Sequence, residues 1–126
     1  MENKLNITDD EAIVMTEEEV EEEKERISRG VYEHVFKKPF QWEGKTYGQL
    51  TFDFEKLTGR DTLAIEHELS AKGIFTVVRS LNIEFQIRVA ARACTEKIGT
   101  DALEAMPIRD FETIMNRVRG FFSATD

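Results

Sequence analysis

The stretch KKPFQWEGKTYGQLTFDFEKLTGRD, residues 37–61, decides how this chain is read. Within it, residues 49–54 alternate cleanly, with Leu50, Phe52 and Phe54 on one side and Thr51 and Asp53 on the other. A period of two marks a strand with one face buried. Upstream, residues 41–47 turn at Glu43-Gly44-Lys45, where glycine offers the positive φ that tight hairpin turns commonly need. The alternation reaches weakly back to Val31. There Val31, Glu33, Val35 and Lys37 fall on one face, and Tyr32, His34, Phe36 and Lys38 on the other. Pro39 has no N–H and belongs at a strand edge or end. The segment predicts a β-hairpin over about residues 31–55.

Past the hairpin the period changes. LTGRDT, residues 57–62, breaks the alternation at Gly59, and Asp61 or Thr62 is positioned to cap a following helix by accepting a free backbone N–H. That helix, about residues 61–72, carries Leu63, Ile65 and Leu69 and ends at Gly73. The run IFTVVRS, residues 74–80, is ambiguous between a strand, from its β-branched content, and a helical connection, from its position. Residues 80–98 form the strongest helical pattern, with Ile83, Ile87, Ala91, Cys94 and Ile98 stacked on one face, Phe85 and Val89 widening the stripe, and Gly99 ending it. TDALEAM, residues 100–106, reads as a short helical turn. A last helix over about residues 108–122 follows Pro107 with Ile108, Phe111, Ile114, Met115, Val118, Phe121 and Phe122, and Gly120 predicts a frayed end.

Charge divides the chain differently. The 126 residues carry a net charge of −8, yet residues 1–30 hold eleven acids against four bases, and the remainder is nearly neutral. The block EEEVEEEKER repels itself and predicts a solvated, disordered acidic arm over residues 1–30, with partial helicity favoured by the Glu22–Arg26 spacing. The whole is an α+β chain: a disordered acidic arm, then one domain over 31–126 in which a β-hairpin packs on a small bundle of about three helices. A lone hairpin is marginal in water, and the two late helical stripes are its natural cover.

Chemistry is scarce. No cationic surplus supports nucleic-acid binding. Cys94 is the single cysteine, which excludes an intramolecular disulfide, and its small-residue run AARAC points to packing. His67 lies in IEHEL, but the second histidine of an HExxH zinc motif is replaced by Ala71. Gly44-Lys45-Thr46 matches the last letters of a phosphate-binding loop, but PFQWE precedes it where the cradle would lie. No catalytic, cofactor-binding or metal-binding residue is assigned. There is no 18-residue apolar run and no secretory pattern, so the chain reads as cytosolic, without a membrane or nucleic-acid partner.

The order of short motifs resembles the phage tail assembly chaperones of Mu-like and P2-like phages and their prophage relatives. The resemblance rests on Lys38-Pro39, Gly44-Lys45, Leu57-Thr58-Gly59-Arg60-Asp61, Val89-Ala90-Ala91-Arg92-Ala93, and Met106-Pro107-Ile108-Arg109-Asp110-Phe111 running to Val118 and Phe121-Phe122. It covers roughly residues 31–123. It implies a non-enzymatic protein of the host cytoplasm that binds the tape measure protein, keeps it soluble while the tail tube assembles, and is absent from the mature virion. The tail tube protein and further copies of the chain are secondary partner candidates, and a structural component or connector retained in the tail is the alternative. A chaperone of this kind needs exposed apolar surface together with charge that keeps the complex in solution. Trp42, Tyr47, Phe121 and Phe122 are the partner-facing candidates, because aromatic side chains dominate interface energetics.

Overall fold

The computed structural model describes residues 16–28 and 30–123. Helix α1 (Glu17–Ser28) leads into strand β1 (Val31–Trp42) and strand β2 (Lys45–Asp53). Then follow a 3₁₀ turn (Phe54–Lys56), helix α2 (Gly59–Ala71), a second 3₁₀ turn (Arg79–Leu81), and helices α3 (Ile83–Ala93), α4 (Thr100–Glu104) and α5 (Ile108–Ser123). The architecture is α+β, as the hairpin and late helical stripes predict. Of the acidic arm expected over 1–30, the dense glutamate block lies in α1, and residues 1–15 fall outside those described.

The hairpin is antiparallel, with Trp42 opposite Lys45 across a two-residue turn. Glu43 and Gly44 both have positive φ, 48° and 79°, the backbone that matches the twist of the flanking strands. Pairing runs regularly from Val31–Asp53 to Val35–Gln49, then slips before resuming at Phe40–Tyr47. Pro39 falls inside this bulge, where no ladder hydrogen bond is demanded of it. The slip preserves a single buried face on β1, formed by His34, Phe36 and Phe40, while Val35 is exposed. On β2, Leu50 and Phe52 are wholly buried, and Phe54 follows them into the core.

Helices α3 and α5 cover that face. Phe85, Val89, Ala90 and Ala93 from α3 and Ile114, Met115 and Val118 from α5 join the hairpin side chains in one core. The outer edge of β2 is also engaged: Phe52 bridges to Cys94, and the Thr95 N–H donates to the Thr51 carbonyl at 2.8 Å. This contact explains a difference from the sequence pattern. α3 stops at Ala93 rather than running to Gly99, because Cys94 turns extended to meet β2. The buried stripe is accordingly centred on Phe85, Gln86, Val89 and Ala90, and Ile83, expected at its head, is exposed. Cys94 is buried as expected, and burial pushes its thiol pKa up.

The punctuation at residues 57–62 resolves differently as well. Thr58, not Asp61 or Thr62, is the N-cap of α2, and Asp61 returns the bond by accepting from the Thr58 N–H at 2.8 Å. Thr-Gly-Arg-Asp is thus a capping box. At the other end, Gly73 N–H bonds to Ser70 and Ile74 N–H to Leu69, the reciprocal pair of a Schellman ending. Beyond it, residues 74–78 form neither strand nor helix. Their β-branched run finds no strand beside it, since both edges of the hairpin lie elsewhere in the fold. Gly120 does not interrupt α5, which continues to Ser123.

Asp61 also accepts from Arg92 Nε at 2.7 Å, tying α2 to α3. The Thr58 backbone bond, then the Arg92 guanidinium, hold its carboxyl below the usual range. A depressed carboxyl contributes stability above its unfolded value and loses it as pH falls through the folded one. In urea melts, wild type should exceed Asp61→Asn in stability near neutrality, and the gap should close as the pH drops below about 4. Thr58→Ala should cost about 1 kcal/mol at neutral pH.

Candidate partner-binding surface

Among the described residues, no group of three or more His, Cys, Asp or Glu is placed to hold a metal ion. The one buried polar constellation on the hairpin joins β1 to α5. His34, 4% exposed, places Nε2 at 2.7 Å from Asp110 Oδ1, and its Nδ1 lies 2.8 Å from the Tyr32 hydroxyl. A carboxylate only accepts, so in the neutral ring Nε2 donates to Asp110 and Nδ1 accepts from Tyr32. Protonating the ring would turn the Tyr32 oxygen into an acceptor and keep both contacts. Burial holds the Tyr32 phenol pKa above its ordinary value, against the opposing pull of Arg117, whose guanidinium lies 4.3 Å over the ring. Sequence reading placed Tyr32 and His34 on one strand face but had no signal for Asp110, 76 positions away.

The cluster closes on protein groups at each end and sits behind the aromatic row of β1, in which His34 meets Phe36 edge-on at 4.9 Å. It is a strut between sheet and helix. Asp110→Ala should leave the buried imidazole without its acceptor and cost about 2–3 kcal/mol in thermal or urea unfolding. A double-mutant cycle with His34→Ala should return a coupling of about 1 kcal/mol or more.

The four aromatic candidates divide between two places. Trp42 and Tyr47, both half-buried, sit at the hairpin tip. They line a groove of about 350 Å³ with Glu43, Lys45, the residues Glu96 to Gly99 that lead from α3 to α4, and Asp101 and Ala102 of α4. Trp42 stacks on Phe40 at 6.2 Å, so the tip is an extension of the core's aromatic row. Glu96, one of the groove's lining residues, is tied to β2, its Oε1 accepting from the Thr51 N–H at 3.0 Å. Lys97 on its rim has a positive φ of 62°.

Phe121 and Phe122 lie at the far end of α5. Phe121 is half-buried and stacks on Phe54 at 5.4 Å, while Phe122 is exposed and meets Phe85 at 5.8 Å. His67 is exposed on α2, as expected.

Sequence reading passed over a further set of exposed apolar side chains. In the connection between α2 and α3, Phe75, Val77, Val78 and Leu81 are 83%, 96%, 50% and 71% exposed, and Ile83 at the start of α3 is 45% exposed. Scattered surface hydrophobics are normal, whereas a run of exposed apolar side chains is an unusual feature of a protein surface. The available signal was the run IFTVV itself, whose apolar, β-branched character leaves it open between a strand and a helical connection. Its placement is fixed, not loose. Thr76 Oγ1 donates to Glu66 at 3.0 Å, Arg79 Nε donates to the same oxygen at 2.7 Å, and the buried Gln86 side chain donates to the Ser80 carbonyl at 2.6 Å.

The described body displays apolar side chains between α2 and α3 and at the end of α5. The family model for phage tail assembly chaperone proteins, E, or 41 or 14, matches residues 33–123. The chain belongs to the phage tail assembly chaperone family. No curated protein and no solved structure matches it. Among the described residues, no helix is long and apolar enough to cross a membrane.

A surface used for binding tolerates truncation better than a core. Trp42→Ala and Phe122→Ala should each cost no more than about 2 kcal/mol of folding stability, whereas Phe52→Ala should cost about 3–5 kcal/mol, by chemical denaturation.

Proposed function

We propose that this protein binds the tape measure protein of a phage tail and keeps it soluble until the tail tube assembles around it, without catalysing a reaction. The observation that supports this reading is the family match over residues 33–123, together with the large apolar side chains left exposed between α2 and α3. Family membership gives tail proteins in general as partners. The tape measure protein, long and largely helical, is the partner proposed from that class. Trp42 and Tyr47 in the tip groove and Phe122 at the end of α5 are proposed as contacts. The acidic segment is proposed to keep the complex in solution, since net charge opposes association between complexes.

Co-expression tests this directly. The tape measure protein should move from the insoluble to the soluble fraction when this chain is present and co-purify with it. An equally insoluble tape measure protein with and without the chain refutes the reading. Mass spectrometry of purified particles should find no copy of the chain, and a stoichiometric copy would make it a retained tail component instead.

A further inference from the structure

The connection between α2 and α3 is held unequally along its length. At its start the Schellman bonds close α2, and Gly73 turns the chain with a φ of +74° and open space where a Cβ would stand. Ile74 then packs against the core. At its end the Ser80 carbonyl accepts from the side chain of Gln86, which is 1% exposed and whose oxygen accepts from Arg119 Nη1 at 3.0 Å. Asn82 caps α3 separately, its Oδ1 accepting from the Phe85 N–H at 3.0 Å. Both roots therefore belong to the packed body.

The stretch between the roots is attached differently. Phe75 and Val77 face water and bury almost nothing. Among the described residues, no backbone hydrogen bond involves residues 75–77. The carbonyls of Val78 and Arg79 are bonded only forward, to the N–H groups of Leu81 and Asn82 at 3.0 Å each. What ties this stretch back to α2 is one carboxylate oxygen. Glu66 Oε2 accepts from Thr76 Oγ1 at 3.0 Å and from Arg79 Nε at 2.7 Å.

We infer that residues 75–79 form a flap, rooted at Gly73 and Ser80 and latched by Glu66, that opens while the rest of the body stays folded. A segment opens on its own when few apolar contacts and few hydrogen bonds hold it down. Opening here breaks two side-chain bonds to a single surface oxygen and uncovers little apolar area, because the largest side chains of the flap are already in solvent. Glu66 is thus a positioning residue. With the latch closed, Phe75 and Val77 are displayed in one fixed direction, and its release frees them together. The device is independent of which protein the chain binds.

Limited chymotrypsin digestion of the full chain tests this, with products identified by mass. The protease cuts after aromatic residues, so a product ending at Phe75 reports flap opening, and products ending at the wholly buried Phe52 and Phe85 report unfolding of the body. When closing is fast relative to cleavage, each rate follows the population of its open form. Denaturant acts in proportion to the surface an opening exposes. Across low urea, cleavage after Phe75 should therefore stay nearly flat while cleavage after Phe52 and Phe85 climbs steeply. Glu66→Ala should raise the Phe75 rate about tenfold, and Arg79→Gln should raise it less. Glu68→Ala removes a carboxylate of the same helix that pairs instead with Arg88 and Arg92, and should leave that rate unchanged. Should Glu66→Ala fail to fold, the urea dependence of wild type and the Arg79→Gln rate decide. A Phe75 rate that climbs with urea as steeply as the Phe52 rate overturns the flap. A Phe75 rate unmoved by the Glu66 and Arg79 substitutions, or raised equally by Glu68→Ala, overturns the latch.

Discussion

A two-stranded antiparallel sheet buries too little surface to persist alone in water, and the arrangement of this protein follows from covering its one apolar face. Leu50, Phe52 and Phe54 project from one side of the hairpin, and the stripes of α3 and α5 close over them. Everything near that contact is tightly determined. The bulge at Pro39 keeps His34, Phe36 and Phe40 on a single side, Cys94 leaves its helix to pair with Phe52, and Asp110 reaches from α5 to satisfy His34. Each is a local departure from regular structure that the shared core enforces.

Outside that core the protein has a different character. The hairpin tip extends the aromatic row beyond the covering helices and opens as a groove at Trp42 and Tyr47. The connection between α2 and α3 places its largest apolar side chains in solvent, while its polar groups are bonded inward to Glu66 and Gln86. This inverts the usual preference, in which apolar groups turn inward and polar ones outward. Holding Phe75 and Val77 in water costs free energy that burial would otherwise return. A fixed backbone presenting them avoids much of the ordering cost that a flexible binding loop meets on association.

The ion pairs around α2 and α3 contribute differently. Between the two helices, Arg88 lies 3.4 Å from Glu68 and Arg92 lies 2.7 Å from Asp61, while Arg88 also pairs with Glu84 at 2.8 Å within α3. Pairs that face water contribute little to stability one by one.

The sequence by itself determined the hairpin, its turn at Glu43-Gly44, the apolar side of β2 and the helical segments. Those features depend on neighbours a few positions apart, and periods of two and 3.6 report them faithfully. It also carried enough ordered motifs to point to the family. Only the tertiary structure decided which face of α3 is buried, why that helix ends at Ala93, that His34 has Asp110 as its partner, and that IFTVV is displayed. Periodicity says that a side chain is apolar and which neighbours share its face. It cannot say whether another element arrives to cover that face, because the covering residues lie tens of positions away along the chain.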